Sequence, residues 1–186
     1  MVVESTGERM CRIDARGPDF DEFVAARGRA LLRTANLLAG GSWADAEDIV
    51  QTALEKAMRH WRRVAGSGDP EAYVRRIVVN LVINRSRRWR VLRETYVARP
   101  PDTPVRSATD AIDDREILLA ELDRLPARQR AVLVLRYWED LSEAETARVL
   151  GCSAGTVKSQ ASRGLARIRE HMRGTVTDMD VEGCGS

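Results

Sequence analysis

Apolar residues recur every three or four positions along most of the chain, the spacing that places them on one face of an α-helix. The first such stretch predicts a helix that Asp19 caps and that ends at about Leu38, before the pair Gly40-Gly41. Its inward residues are Phe20, Phe23, Val24, Leu31, Ala35 and Leu38. The next stretch predicts one continuous helix from about Trp43 to Val64. Its apolar stripe comprises Ala46, Ile49, Val50, Ala53, Leu54, Ala57 and Trp61.

A third helix is predicted from Glu71 to about Arg90, with Pro70 well placed at its first turn. Its buried side comprises Val74, Ile77, Val78, Leu81 and Val82. From Thr95 to about Ile112 the helical spacing disappears, and this stretch contains Pro100, Pro101 and Pro104. Proline lacks the backbone N–H that a helix interior needs, so an extended linker between two domains is predicted here.

The second half of the chain predicts further short helices. One begins at about Asp113, with Ile117, Leu118, Leu122 and Leu125 facing inward. Another begins at Pro126 and runs to Trp138, with Val132, Leu133, Leu135 and Tyr137 inside. The predicted fold class is therefore all-α, with two small helical domains at residues 18–94 and 113–173 joined by the extended linker at 95–112. Residues 1–17 and 174–186 lack a sustained period and are predicted to be flexible tails.

The stretch from Leu141 to Arg169 predicts two helices joined by a very short turn. Ser142 and Glu145 have the spacing of a capping box, Gly151 suits a helix end, and Ser153 is the next N-cap. The second helix has an apolar side of Val157, Ala161, Leu165 and Ile168, and an outer side of Gly155, Lys158, Ser159, Ser162, Arg163 and Arg167. An ordinary helical hairpin would also fit. Small and basic residues without an acid before Glu170 favour a helix-turn-helix that binds the DNA major groove.

Charge is unevenly distributed, although the formal net charge is only +2. Residues 19–56 carry seven acids against four bases, residues 70–93 carry seven arginines against one Glu, and residues 153–173 carry five bases against one Glu. Two basic segments and an acidic one indicate that one side of the protein binds nucleic acid and another side binds a basic protein partner.

Polar residues of the second and third helices define two candidate surfaces. On the second helix the acidic surface comprises Asp45, Glu47, Asp48, Gln51, Thr52 and Glu55, and it would suit a basic helix of a partner. Acids near a helix N-terminus also complement the helix dipole, so a structural role is equally open. On the third helix Arg76, Asn80, Asn84 and Arg87 align on one side, and Arg85, Arg88 and Trp89 follow. Amides can bond base edges, arginines can neutralise phosphates, and an exposed aromatic can stack on an unpaired base. A basic helix end that complements the dipole is the structural alternative.

Several classes of protein are disfavoured. The three cysteines, Cys11, Cys152 and Cys184, are far apart, and only His60 and His171 accompany them. A disulfide scaffold, a zinc site or another cofactor is therefore not expected. No apolar run has the length of a membrane span, and the first residues lack a signal-peptide hydrophobic region, so the predicted location is the cytoplasm.

Three blocks of the chain resemble the extracytoplasmic-function (ECF) sigma factors of bacterial RNA polymerase, and within them the SigE-like actinobacterial group. The blocks are Asp45–Gln51, Tyr73–Arg88 and Leu125–Arg169, which occur in the order and spacing of that family. The resemblance implies a sigma region 2 domain at residues 18–94 and a sigma region 4 domain at residues 113–173. It also implies that the chain directs promoter-specific initiation of transcription and has no catalytic residue of its own.

The resemblance assigns roles to residues of this sequence. Core polymerase, through its β′ clamp, would bind Asp45, Glu47, Asp48, Gln51 and Glu55. The −10 element would meet Arg76, Asn80, Asn84, Arg85, Arg87, Arg88 and Trp89. The −35 element would meet Ser153, Gly155, Thr156, Lys158, Ser159, Arg163 and Arg167. The β flap of polymerase and an anti-sigma factor are further expected partners, whereas a membrane, a metal and a small-molecule substrate are not.

Two other functions fit part of the sequence. A helix-turn-helix repressor or activator that acts without polymerase would explain the second domain, but not the Arg/Asn/Trp side of the third helix or the linker. A small nucleic-acid enzyme would need a carboxylate or His/Cys centre. The only acid cluster, Asp45, Glu47 and Asp48, lies on one exposed turn without a matching second group.

Overall fold

Helix α1 (Phe20–Leu38) begins as predicted, because the Asp19 carboxylate accepts a hydrogen bond from the Phe20 N–H at 2.9 Å. The computed structural model describes residues 19–95 and 114–182, and side chains within 19–88 and 115–173. The tail predicted at 1–17, nearly all of the predicted linker and the side chain of Trp89 lie outside these ranges. Of the six residues predicted to face inward on α1, Phe23, Leu31, Ala35 and Leu38 are buried, and Phe20 and Val24 are half-buried.

The helix predicted from Trp43 to Val64 is interrupted, and that prediction was wrong. Helix α2 (Trp43–Met58) ends at Arg59, and a short helix α3 (Trp61–Ala65) follows. The interruption places the Trp61 ring against α1, with its centroid 5.1 Å from that of Phe20 and 5.0 Å from that of Phe23. Tertiary packing of Trp61, together with burial of Val64, thus overrides the local helical pattern.

Helix α4 (Pro70–Thr95) completes the first domain and is longer than predicted. Asp69 precedes it and accepts a hydrogen bond from the Ala72 N–H at 2.8 Å. Its buried residues are Val74, Val78, Val79 and Val82, and the predicted inward residues Ile77 and Leu81 are half-buried. Helix α4 packs on α1 and α2, so one face is in the core and the other faces solvent.

The second domain begins with α5 (Asp114–Arg124) and α6 (Ala127–Leu133). Leu119, Leu122 and Leu125 are buried, whereas Ile117 and Leu118 are exposed, contrary to the prediction that they face inward. Because Ile117, Leu118 and Leu119 are consecutive apolar residues, the sequence does not determine which of them faces the core. The packing of α5 on α1 buries Leu119.

A π-helical turn (Val134–Trp138) follows α6 directly, and its widened turn is closed by the Glu139 N–H, which donates to the Val134 carbonyl at 3.1 Å. The wider turn shifts the register of the side chains relative to an α-helix. Leu135 is fully buried as predicted, but Tyr137 is exposed, so its predicted burial was wrong. The sequence carries no signal for this extra residue in the turn.

The helix-turn-helix consists of α7 (Glu143–Leu150) and α8 (Ala154–Glu182). The capping box is present, because the Ser142 hydroxyl accepts from the Glu145 N–H while the Glu145 carboxylate accepts from the Ser142 N–H. Val157 is completely buried between the two helices and α6. Helix α8 extends to Glu182, whereas the sequence predicted a flexible tail from residue 174. No proline interrupts residues 154–182, so the helix can continue through Gly174 to Glu182.

The two domains pack against each other. A single hydrophobic cluster includes Leu38, Val74 and Val78 of the first domain together with Leu122 and Leu135 of the second. Helices α1 and α4 supply the contact surface from one side, and α5, α6, the π-turn and α7 supply it from the other. The sequence predicted two domains joined by a linker but not this shared core.

Two glycines of the helix-turn-helix are expected to respond oppositely to alanine. Gly151 has φ 62°, where a Cβ is strained, although nothing lies within 4 Å of where that Cβ would be. Gly151→Ala should therefore cost about 1–2 kcal/mol of stability. Gly155 is an exposed helical residue, so Gly155→Ala should gain about 0.5–1 kcal/mol. Urea unfolding of both variants checks this, and equal shifts of one sign would contradict the assigned turn.

Candidate nucleic-acid and protein-docking surfaces

The predicted acidic surface lies on the outer side of α2. Glu47, Asp48, Gln51 and Glu55 are exposed, and Gln51 Nε2 donates to Glu55 Oε1 at 3.1 Å. The helix holds these side chains outward because Ala46, Ile49, Val50 and Ala53 fill the core behind them. Four of the five predicted residues thus form one accessible stripe, and the fifth, Asp45, is partly covered.

An apolar groove beside the acidic stripe was not predicted. It lies between α1 and α2, and its apolar lining includes Phe20, Leu32, Val50, Leu54 and Met58. Glu47, Gln51 and Glu55 form part of the same lining, and Met58 is 56% exposed. An apolar floor with an acidic edge suits an amphipathic helix with basic side chains. In the sequence Met58 lies outside the apolar stripe of its helix, which is the signal that could have revealed this groove.

The predicted basic surface occupies the solvent side of α4. Arg76, Asn80, Asn84, Arg87 and Arg88 are exposed, and they span more than three turns of the helix. The amides of Asn80 and Asn84 make no hydrogen bond within residues 19–95 and 114–182, so both can donate and accept to a ligand. The surface can therefore hold a phosphate backbone while its amides meet base edges.

Arg85 has a different environment from the other predicted DNA residues. It lies on the side of α4 that faces α2, and its guanidinium is 2.5 Å from Asp45 and 4.0 Å from Asp48. Asp45 and Asp48 are predicted to bind polymerase, whereas Arg85 is predicted to contact DNA. The contacts of Arg85 with these two carboxylates therefore link the two predicted surfaces. A groove between α2 and α4 carries Asp48 and Glu55 on one wall and Asn84, Arg85 and Arg88 on the other.

The first half of α8 is called the recognition helix here, after the role in DNA binding that the sequence predicts for it. Gly155, Lys158, Ser159 and Arg163 are exposed, and the apolar side of the helix packs on α6 and α7. Lys158 and Arg163 form no ion pair within the described parts of the chain. Their charges are therefore available to an anionic ligand.

Three of the residues predicted to contact DNA also serve the structure of this helix. The Ser153 hydroxyl accepts from the Thr156 N–H at 3.1 Å and lies 2.9 Å from the Thr156 hydroxyl. Arg167 Nη1 donates to Oε1 of the buried Gln129 at 3.2 Å. Ser153 and Thr156 thus fix the start of the helix, and Arg167 holds it on α6.

The capping box makes the stability of the helix-turn-helix depend on pH. Hydrogen bonds from the Ser142 hydroxyl and N–H hold the pKa of Glu145 below its ordinary value. Because the pKa is lower in the folded chain, the ionised carboxylate stabilises the fold at pH values above the ordinary pKa of Glu, which is about 4.3. This stabilisation is lost as the pH falls through the lowered pKa. Wild type should therefore exceed Glu145→Gln in unfolding free energy at pH 7, and the difference should shrink toward pH 3. Urea titrations at both pH values test this, and a constant difference would contradict it.

The described residues contain no group of three or more His, Cys, Asp or Glu that could hold a metal ion. Among the same residues, no helix is long and apolar enough to cross a membrane.

Comparison with known proteins identifies both halves of the chain. A family described as "Sigma-70 region 2" matches residues 23–91, and one described as "Sigma-70, region 4" matches residues 115–168. The RNA polymerase sigma-E factor of Streptomyces coelicolor is 41% identical over 165 residues, which cover 88% of this chain and 90% of that protein. The ECF RNA polymerase sigma factor SigM of Mycobacterium tuberculosis is 33% identical over 154 residues, covering 80% of this chain and 74% of that protein.

A solved structure also resembles this one. It is the sigma factor RpoE from Bartonella quintana in complex with the anti-sigma factor NepR. The TM-score is 0.67 at 26% identity, and the match covers 83% of this chain and 97% of that chain. The likeness therefore extends over both domains.

Proposed function

Since this chain belongs to the ECF sigma factors of bacterial RNA polymerase, we propose which of its surfaces meets each partner. A sigma factor binds core polymerase and directs it to promoters. For this chain, the stripe of Glu47, Asp48, Gln51 and Glu55 would bind a basic helical element of the polymerase β′ clamp. The apolar groove between α1 and α2 would bury the apolar side of the same element.

The solvent side of α4 would capture the melted −10 element. Its exposed amides and arginines are the chemistry that an unpaired strand requires, because arginines neutralise the backbone while amides bond the edge of an extruded base. Holding the unpaired strand offsets the cost of opening the duplex, which is a few kcal/mol per extruded base. Arg85, paired with Asp45, would position α4 on α2 more than it contacts DNA.

The recognition helix would enter the major groove at the −35 element. Lys158 and Arg163 would contact phosphates or guanine edges, and the small residues Gly155 and Ser159 would allow close approach. Ser153 and Thr156 would support this contact through the helix cap. None of these contacts makes or breaks a covalent bond, so the chain would act as an initiation factor in the cytoplasm and not as an enzyme.

One observation carries the proposal: the exposed amide-and-arginine side of α4 and the helix-turn-helix occur in the same chain, within matched regions 2 and 4. A repressor that acts without polymerase accounts for the second region only, and the comparisons do not favour it. A solved relative is bound to an anti-sigma factor, and we extend a partner of that kind to this chain.

Gel filtration with bacterial core polymerase tests the proposal. The chain should elute with core polymerase and should bind duplex DNA only weakly by itself. Tight binding of the free chain to duplex DNA, without co-elution with core polymerase, would overturn the proposal in favour of a repressor.

A further inference from the structure

The turn that joins α2 to α3 carries a cluster of cations outside both of the polar surfaces predicted on the first domain. Lys56, Arg59, Arg62 and Arg63 lie there, and residues 56–68 contain no acid. All four side chains are exposed and form no ion pair within residues 19–95 and 114–182. Like charges this close repel one another, so an anionic partner would stabilise them. We call Arg59, Arg62 and Arg63 the basic turn.

Arg59 lies on the same side of α2 as the acidic stripe. Its backbone keeps helical angles, φ −57° and ψ −24°, and it follows Glu55 by four residues. Side chains four residues apart on a helix are neighbours, and Glu followed by Arg at this spacing can form an ion pair. Glu55 instead accepts a hydrogen bond from Gln51, and Arg59 has no ionic partner among the described residues. Both charges therefore remain available to a ligand.

Met58 connects the basic turn to the apolar groove. It lines the groove between α1 and α2, and it also lines a cavity of about 350 Å³ whose walls include all three arginines of the basic turn. Its side chain is 56% exposed, and a flexible thioether packs well against an irregular apolar surface. The acidic stripe, the apolar floor and the basic turn thus form one continuous surface.

The break between α2 and α3 holds the basic turn in place. The Trp61 ring packs against Phe20 and Phe23 of α1, and Val64 is buried. The carbonyl of His60 accepts hydrogen bonds from the N–H groups of the next turn, at 3.0 and 3.1 Å. Because core packing fixes the residues between them, the exposed arginines are presented from a folded segment and lose little backbone entropy on binding.

A protein partner suits the basic turn better than a phosphate backbone does. A nucleic-acid strand that reached Arg59 along α2 would also meet the carboxylates of Asp48 and Glu55, which would repel it. A role confined to the helix dipole is the structural alternative, since a cation in the last turn of a helix is stabilising. That role predicts a loss of stability when the arginines are changed, whereas docking predicts a loss of affinity in a chain that stays folded.

The distance along α2 defines the length of the helix that would fit. Glu47 and Arg59 are twelve positions apart, which is about 18 Å at 1.5 Å per residue, or about three helical turns. A helix lying along this surface would need cations at the end beside Glu47 and carboxylates at the end beside Arg59. The opposite orientation would bring like charges together at both ends, so the surface accepts one direction only.

We propose that the basic turn extends the polymerase-docking surface of α2 and selects a partner helix whose charge changes sign along its length. Basic side chains of that helix meet the acidic stripe, its apolar side meets the groove at Met58, and its carboxylates meet Arg59, Arg62 and Arg63. The inference rests on the proposed function, because it extends the docking surface assigned there. Its added content is the acidic end of the partner and the orientation that this end imposes.

The affinity of the full chain for core polymerase tests the proposal. Arg62→Glu/Arg63→Glu places carboxylates against the acidic end of the partner, and fluorescence titration should show about a tenfold loss of affinity. Arg62→Gln/Arg63→Gln removes the charges without adding repulsion, so its loss should be smaller, about threefold. Urea unfolding of each variant should show a folded chain, and the Gln pair keeps the test valid if the Glu pair unfolds.

Arg128→Glu/Arg169→Glu is the matched control, since it makes the same charge change at two exposed positions of the second domain. It should bind core polymerase as the wild type does. An equal loss of affinity in this control would overturn the proposal, because it would indicate a general charge effect. Unchanged affinity in both variants of the basic turn would also overturn it.

Binding of a single-stranded −10 oligonucleotide to the complex with saturating core polymerase distinguishes a DNA contact. The proposal predicts wild-type strand binding for Arg62→Glu/Arg63→Glu under these conditions. Normal core affinity with weakened strand binding would overturn the proposal in favour of a phosphate contact. If Asp48→Arg weakens core binding and the variants of the basic turn do not, only this inference fails. If none of them weakens it, the function proposed for α2 fails as well.

Discussion

Asp48→Arg should weaken binding to core polymerase by about ten- to a hundredfold while leaving the fold intact. Asp48 belongs to the acidic stripe, and its side chain is 73% exposed. A like charge placed against a basic partner opposes binding, and a cost of about 1.4–2.8 kcal/mol corresponds to a ten- to hundredfold loss of affinity. Stability should change little, because the contact of Asp48 with Arg85 is long, at 4.0 Å, and Arg85 keeps its closer partner Asp45. Fluorescence titration of labelled chain with core polymerase measures the affinity.

Glu170→Arg is the matched control, since it makes the same charge change on an exposed helix of the other domain. It should bind core polymerase as the wild type does. Equal losses of affinity in the two variants would indicate a general charge effect and would contradict the assigned docking surface. Unchanged affinity in Asp48→Arg would remove α2 from the interface.

Asn80→Ala should reduce formation of the open promoter complex by about ten- to a hundredfold without weakening core binding. Its amide is exposed at the middle of the amide-and-arginine side of α4. A side-chain amide bonded to a base edge contributes about 1–3 kcal/mol, which alanine cannot supply. The change should not unfold the chain, because alanine favours a helix interior more than asparagine does. Permanganate reactivity of unpaired thymines in the −10 element measures the open complex.

A promoter with a pre-melted −10 element separates opening of the duplex from polymerase binding. On that template the defect of Asn80→Ala should shrink, because the cost of unpairing has already been met. Normal permanganate reactivity in Asn80→Ala, or a loss of core binding equal to that of Asp48→Arg, would show that this side of α4 does not capture the strand.

Local signals in the sequence predicted the helix-turn-helix correctly. The Ser142–Glu145 capping box and the left-handed Gly151 involve residues at most three positions apart, so their geometry follows from their own chemistry. The two helical domains and the exposed positions of Asn80 and Lys158 follow from the 3.6-residue period in the same way.

Features that depend on distant contacts were missed. The break between α2 and α3 is favoured by Trp61 packing on α1, and the exposure of Tyr137 depends on an extra residue in the π-turn. Asp45 and Arg85 are 40 residues apart, and their pairing needs α2 and α4 side by side. Thr34 and Glu139 are 105 residues apart, and neither has a periodic pattern that indicates the other.

Transcription from a pool of genomic DNA fragments, with core polymerase and the purified chain, measures whether this chain directs polymerase to promoters. We expect transcripts only when both are present, with start sites that share two upstream elements at a fixed spacing. Transcripts that do not depend on the chain, or start sites without shared upstream elements, would contradict this function.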